Sequence, residues 1–409
     1  MNDLPLSHPA TSLGQIKSGS SAYHRTNLAF FAAGFVTFVT LYDMQPLLPE
    51  FARDFGVSPA LSSLPLSAAT ATLSIAMLFA GTVSETLGRK QVMTAALFSS
   101  SLLTLLTSAC HDFGVLLGLR LLQGVVLAGL PAVAMAYLSE EMEASALGAA
   151  MGLYISGNAV GGMAGRLYTA AATDLWGWQA ALASIGVFCL ALSCFFVRSL
   201  PPSHLRQRPF EFRYLFSSLA MHLGDPLMLC LYGIGFMVMG SFVTLFNYLT
   251  FRLLAPPYGL SQSHVSLIFL VYLLGSLSAS AAGRMVNRFG RRAIIRTSLL
   301  AMAAGVLLTL ARAFPEIVVG VAIFTVGFFG VHSVASSWVG RRATTARAQA
   351  SALYLFFYYL GSSISGTAGG VFWLHQGWGG VVGLIMFLLL LAMILVGLLS
   401  RQQRRDSGR

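Results

Sequence analysis

One acid and two bases sit inside runs of sequence that otherwise read as lipid-soluble. Asp43 lies in "FVTFVTLYDMQPLLP", Arg120 opens "RLLQG" and Arg166 closes "GNAVGGMAGR". A charge at bilayer depth is costly unless it is paired, solvated or able to snorkel to the interface, so each needs a partner or a task. Burial favours the neutral form of an aspartate, whereas a neighbouring guanidinium favours the carboxylate. An acid held between those influences can take up and return a proton as its surroundings change. Asp43, with Arg120 as its switchable partner, is therefore the candidate proton-coupling pair. The plainer alternatives are a static ion pair joining two helices, or an aspartate close enough to the interface to be wet. Arg166 either snorkels to the outer head groups or faces a cavity. In a cavity, two arginines against one acid leave the region net positive, which favours anionic or neutral polar substrates over lipophilic cations.

Uncharged polar residues of the apolar runs form a second group. Gln123 shares "RLLQG" with Arg120, and Asn158 lies beside a row of glycines, placed to hydrogen-bond across helices. Farther along come Asn247 in "SFVTLFNYL", His332 in "GVHSVASSW", and Tyr354 and Tyr358, whose i, i+4 spacing puts them on one helical face. Away from their ends, the spans of this later part contain no Asp, Glu, Lys or Arg and are expected to supply shape and hydrogen bonds. His332 is either a second protonatable group or a hydrogen-bonded packing residue, and the tyrosines are core or lining.

What must position these residues is a set of membrane helices. Of the 409 residues, 56% are hydrophobic and only 10% charged, against about 25% charged in a soluble domain. Apolar runs of ~20 residues, long enough to cross a bilayer as helix, recur throughout. Twelve spans are predicted, near 26–48, 62–83, 92–109, 114–137, 146–169, 178–199, 226–254, 262–282, 293–311, 316–339, 348–373 and 379–399. At 1.5 Å per residue, Asp43 and Arg120 then lie about 8 and about 9 Å from the outer ends of their spans, and Arg166 at a similar level. The first span is too long for a signal-peptide core, has no clear small-residue cleavage site and reads as retained. Cys110, Cys189, Cys194 and Cys230 form no C-x-x-C or Cys/His cluster and read as small core residues.

A net charge of +11 could suggest nucleic acid, but its distribution points elsewhere. Of the 25 Lys and Arg, Arg53, Arg252 and Arg312 fall in loops on one side and Arg120 and Arg166 inside spans. All the others lie on the side of the termini. By the positive-inside rule that side is cytoplasmic, so the basic balance is a signal of topology and not of a nucleic-acid partner.

The chain also repeats itself. "GTVSETLGRK" (81–90) answers "GRMVNRFGRR" (283–292), "GNAVGGMAGR" (157–166) answers "GSSISGTAGG" (361–370), and "GWQAA" answers "GWGGV". The expected fold is an all-α integral membrane protein of twelve transmembrane helices in two pseudo-symmetric six-helix halves, 26–199 and 226–399. They are joined by a linker at 200–225 and flanked by cytoplasmic tails at 1–25 and 400–409. Two such halves meet at a central cavity near the midplane and rock about it.

These motifs resemble the major facilitator superfamily over nearly all of 26–399, and within it the drug:proton antiporter-like bacterial inner-membrane efflux proteins of the YnfM type, similar to arabinose efflux permeases. The resemblance implies that the loop Gly81-x-x-x-Glu85-x-x-Gly88-Arg89-Lys90 latches the two halves on the cytoplasmic side, and that Arg120 serves proton coupling. Glu85 stands where Asp is usual and Thr86 where Arg is usual. The second copy keeps Gly283, Arg288, Gly290, Arg291 and Arg292 but has Asn287 in place of the acid, which implies a weaker latch. Gly148, Gly157, Gly161, Gly162 and Gly165 match the family's glycine ladder, whose small residues let helices approach closely. The ladder's usual proline and final glycine are replaced here, so it favours export only modestly.

Other chemistries lack their residues. The sequence has no G-x-x-x-x-G-K-[ST] for ATP, and no H-E-x-x-H, G-x-S-x-G or paired intramembrane carboxylates for an embedded enzyme. A channel would more readily show rings of charge or a filter-like loop. The expectation is a proton-coupled exporter of small molecules in the bacterial inner membrane, monomeric and needing no cofactor beyond the proton gradient. Proton-coupled uptake of a sugar or metabolite is the alternative, and a sensor or scaffold with a transporter fold the non-transport one.

Overall fold

A computed structural model describes residues 16–201 and 212–406. The remainder of the expected tails and linker, with Arg206, Arg208 and Arg409, lies outside the described residues, as do the side chains of Arg401, Arg404 and Arg405. Among the described residues nine helices are long and apolar enough to cross a membrane. Two of these, α8 (Ala144–Ser199) and α15 (Arg347–Asp406) below, are each two helices meeting at one glycine with positive φ, Gly177 (81°) and Gly377 (58°). Tyr154 and Phe196, on the two arms of α8, both pack edge-on against Phe30, and Tyr168 donates to Ser184 across the turn. The arms therefore run back alongside one another. One further helix, Arg291–Leu308, falls outside the apolar nine because Arg291, Arg292 and Arg296 crowd one end, although Ile295, Met302 and Val306 are buried. With it the crossings reach the expected twelve.

In chain order the elements are α1 (Ser21–Tyr42), a 3-10 turn (Gln45–Leu47), α2 (Leu48–Asp54), α3 (Pro59–Ser62), α4 (Leu64–Leu87), α5 (Arg89–Ser108), α6 (Phe113–Leu127), α7 (Pro131–Glu141) and α8. The linker contributes α9 (Phe212–Leu223). The second half repeats the plan with α10 (Pro226–Leu254), α11 (Gln262–Ser266), a 3-10 turn (Leu267–Val271), α12 (Tyr272–Phe289), α13 (Arg291–Leu308), α14 (Phe314–Arg342) and α15. The repeated loop has the same backbone in both copies. Gly88 (φ 95°) separates α4 from α5, and Gly290 (φ 80°) separates α12 from α13.

Inside lipid the hydrophobic effect gives helices little reason to associate, so close van der Waals packing matters more. α1 packs along α8 and α10 along α15. A Cβ on Gly157 would stand 2.3 Å from the Phe31 carbonyl oxygen, one on Gly161 2.4 Å from that of Phe35, and one on Gly165 3.0 Å from the Val39 Cα. The repeat equivalent of Gly157, Gly361, lies as close to Phe236. Two ladder positions behave otherwise. Gly148 has nothing within 4 Å, and Gly162 meets the flexible Arg166 guanidinium at 3.3 Å and the Phe38 side chain at 3.7 Å. Gly148 belongs to the spacing but not to the seam between helices, and Gly162 lies at its edge, touching side chains and not backbone.

The halves are joined at the side away from the termini, here called distal. Ser363 and Thr367 of α15 donate to the carbonyl and hydroxyl of Ser67 on α4, each at 2.8 Å. Gln262 donates to the Pro46 carbonyl, and the Ser263 amide to Asp174 at 2.7 Å.

Candidate transport site

α1 stops at Tyr42 because Pro46 has no N–H to offer the Tyr42 carbonyl and restricts the residue before it. The chain then tightens into the 3-10 turn. Helix ends leave carbonyls in need of donors, and Arg120 supplies them. Its Nη1 donates to Thr40 O (3.0 Å), its Nη2 to Leu41 O (3.0 Å) and its Nε to Pro65 O (3.3 Å). Gln123 accepts from Nη1 at 2.5 Å and donates to Thr104 Oγ1 at 2.9 Å, and its amide also reaches Thr40 O and Ser100 O at 3.3 Å. Gln123 therefore ties α6 to α1 and α5 rather than facing a substrate.

Asp43 and Arg120 are brought together, both fully buried, with Oδ1 3.5 Å from Nη1. Yet neither carboxyl oxygen accepts a hydrogen bond from another side chain, because the guanidinium's donors are aimed at main-chain carbonyls and at Gln123. In this state Arg120 is tied to the end of α1, and Asp43 lies against it without a side-chain hydrogen bond.

Arg166 neither snorkels nor joins that pair. It is 3% exposed and points to the seam between the halves. Its Nε donates to Gln45 Oε1 (2.6 Å) and its Nη1 to Gly162 O (2.6 Å). Tyr42, Tyr272 and Phe269 surround the guanidinium, with ring centroids 4.1, 5.1 and 5.2 Å from its carbon. Gln45 passes the contact across, its Nε2 donating to Asn247 Oδ1 at 2.8 Å. The three intramembrane charges thus share a level but form two centres, one inside the first half and one on the seam.

Three of the later candidates, His332, Tyr354 and Tyr358, lie together, and Asn247 lies apart on Gln45. His332 Nδ1 lies 3.1 Å from the Tyr354 hydroxyl, its ring 4.6 Å from that of Tyr358, and the two tyrosine rings are 6.2 Å apart. Asn158 packs beside Gly34, but its Oδ1 finds no donor across the helices.

At the terminal side Arg89 bonds within its own half, to Glu140 (2.7 Å), Glu85 (3.4 Å), Ser84 Oγ (2.6 Å) and the Gly81 carbonyl (3.1 Å). Lys90 donates to the Leu200 carbonyl. In the second copy Arg288 lies over Phe289 and Arg291 over Trp338, while Asn287 and Gly283 are exposed.

Sequence reasoning missed Gln45, Glu140, Tyr42 and Tyr272. A glutamine two residues beyond a buried aspartate in "YDMQP", and the acidic "SEEME" after the fourth span, were the available signals for the first two. The rings look like ordinary apolar residues until the seam is assembled. Among the described residues no group of three or more His, Cys, Asp or Glu is placed to hold a metal ion.

The whole chain has relatives of matching length. It is 47% identical to the uncharacterized MFS-type transporter YybF of Bacillus subtilis (strain 168), over 96% of this chain and 98% of that one. It is 46% identical to the inner membrane transport protein YnfM of Escherichia coli (strain K12), over 95% and 93%. The fold is similar to that of a bacterial homologue of the human lysosomal transporter Spinster, solved inward-facing and occupied (TM-score 0.73, 14% identity, 94% of this chain and 98% of that one). The nucleoside transporter NupG is similar to the same degree (TM-score 0.73, 13% identity, 92% and 99%). The Major Facilitator Superfamily profile matches residues 27–254 and 245–409. With two packed bundles, a seam of buried polar groups and these relatives, the chain belongs to the major facilitator superfamily and is a secondary-active transporter of small molecules across a membrane, not an enzyme.

Proposed function

We propose that the protein exports a small molecule across the bacterial inner membrane in exchange for protons, by alternating access, with Asp43 as the proton carrier. The observation that carries this is Asp43 itself, a fully buried carboxyl group whose oxygens accept no hydrogen bond from another side chain although a guanidinium lies 3.5 Å away. Such a group can gain or lose a proton without dismantling a bonded network, while Arg120 holds the surrounding backbone in place. The excess of Lys and Arg on the terminal side assigns that side to the cytoplasm. The name of the Escherichia coli relative supports the inner membrane. The Arg89 loop, whose bonds to Glu140 and Glu85 stay within its own half while the distal side is shut, acts as the cytoplasmic latch when that side opens, and the protein works as a monomer.

The test uses inverted vesicles energised to an acid interior, with the pH gradient read by dye quenching. Lipophilic cations, organic anions, sugars and amino acids are added in turn to wild type and Asp43→Asn. Dissipation by one class in wild type, reduced at least tenfold in the variant, is the expected result. Equal dissipation in both would make Asp43 structural, and a panel without effect on wild type would remove the support for export.

A further inference from the structure

The proton-coupling reading leaves Arg166 unused. This guanidinium is buried and positively charged, and its hydrogen bonds go to neutral acceptors, the Gln45 amide and the Gly162 carbonyl. Among the described residues no carboxylate lies within ion-pair distance of it, and Asp43, close to it in the fold, faces Arg120. The buried level therefore holds two cations against one acid, an excess of a single positive charge in a medium where unpaired charge is expensive.

Two further donors beside it lack acceptors. Asn247 is fully buried; its Oδ1 is tied to Gln45 but its Nδ2 bonds to nothing. The hydroxyl of Tyr272, whose ring lies against Arg166, is also unpartnered. Native interiors rarely strand polar atoms this way, and a cluster of stranded donors marks a place for an acceptor. A row of rings leads away from it. Tyr272 meets Phe242 at 5.4 Å, Phe242 stacks on Phe328 at 3.8 Å, Phe328 on His332 at 6.1 Å, and His332 lies 4.6 Å from Tyr358. Tyr272, His332 and Tyr358 are only half-buried, so part of each side chain is accessible.

We infer that the transported molecule is a monoanionic organic acid with a flat apolar body. Its acidic group is held by Arg166, Asn247 and Tyr272, and its body lies along Tyr272, His332 and Tyr358. One excess cation matches one negative charge, and the donors come from both halves, as a substrate that drives their movement requires. This rests on the transport reading above and names its substrate class.

The full-length protein in lipid nanodiscs would be titrated, without any gradient, with 2-naphthoate, neutral 2-naphthamide and cationic 2-naphthylmethylammonium, reading the shift in Tm. Naphthoate should raise Tm, with the amide at least tenfold weaker and the ammonium ion inert. Arg166→Met should weaken naphthoate at least tenfold, and Arg166→Lys should keep part of the affinity. Naphthoate without effect, an amide or ammonium bound as tightly as the acid, or naphthoate affinity unchanged in Arg166→Met would each overturn the assignment. Should Arg166→Met fail to fold, the three wild-type titrations decide. Because binding is read at equilibrium, loss of proton coupling in the vesicle assay leaves this result standing, and the reverse also holds.

Discussion

Asp43 and Arg120 touch, yet they do different work, and their variants should separate. Asp43→Asn removes the carboxylate beside Arg120 but none of the main-chain bonds that fix the guanidinium, so it should cost less unfolding stability than Arg120→Met while proton coupling is lost. Arg120→Met strips donors from Thr40, Leu41 and Pro65 and leaves a buried acid alone, a change that costs about 3–5 kcal/mol. Thermal unfolding of the two purified variants checks both. A second acid gives a pH test outside the spans. Asp225 caps α10 through the Leu227 amide (2.9 Å) and takes two bonds from Arg342 (2.6 and 3.0 Å). Partial burial alone would raise its pKa, but the Arg342 bonds outweigh it and hold the carboxyl below its ordinary value. A depressed acid contributes stability above its unfolded pKa, and that contribution is lost as pH falls through the folded value. Asp225→Asn keeps a capping oxygen and removes the charge. It should therefore unfold about 1 kcal/mol more easily at pH 7, with the gap to wild type closing as the pH falls below about 4.

At the scale of helices, the repeats in the sequence coincide with matched glycine backbones. The "GR" pairs fall on the turns at Gly88 and Gly290, and "GWQAA" with "GWGGV" on the reversals at Gly177 and Gly377, whereas Gly56 and Gly259, also of positive φ, lie outside the quoted repeats. Spacing alone could not say which ladder glycines face the neighbouring helix, because that depends on the rotation of α8 about its axis. The structure makes the distinction testable. Gly161→Val forces atoms into the Phe35 carbonyl and should destabilise by at least about 1–3 kcal/mol. Gly148→Ala meets open space and should be neutral or stabilise by up to about 1 kcal/mol. Arg120 shows the same limit. Its cost in lipid was legible from its residue type, but its task required knowing that α1 breaks at Tyr42 and exposes carbonyls there.

For the molecule as a whole, the twofold plan was visible in the sequence and the seam was not, since the contacts that close it join residues 89 to 300 positions apart. Ser67 and Thr367 meet there at 2.8 Å, and alternating access requires them to separate. In a background without the native cysteines, the pair Ser67→Cys and Thr367→Cys should lose at least tenfold of its flux on oxidation and recover it on reduction. Flux unchanged by the cross-link would mean that the pathway opens without parting this seam. The chain of contacts from Arg166 through Gln45 to Asn247 also spans the seam, and it can exist only while the distal side is shut. A guest bridging the same two residues would add to the adhesion, since ligand and closure each favour the other by an equal factor. Grip and throughput are then in opposition. A molecule that is to be carried must hold weakly enough to let the halves separate, and one that holds very tightly becomes a wedge that arrests the cycle.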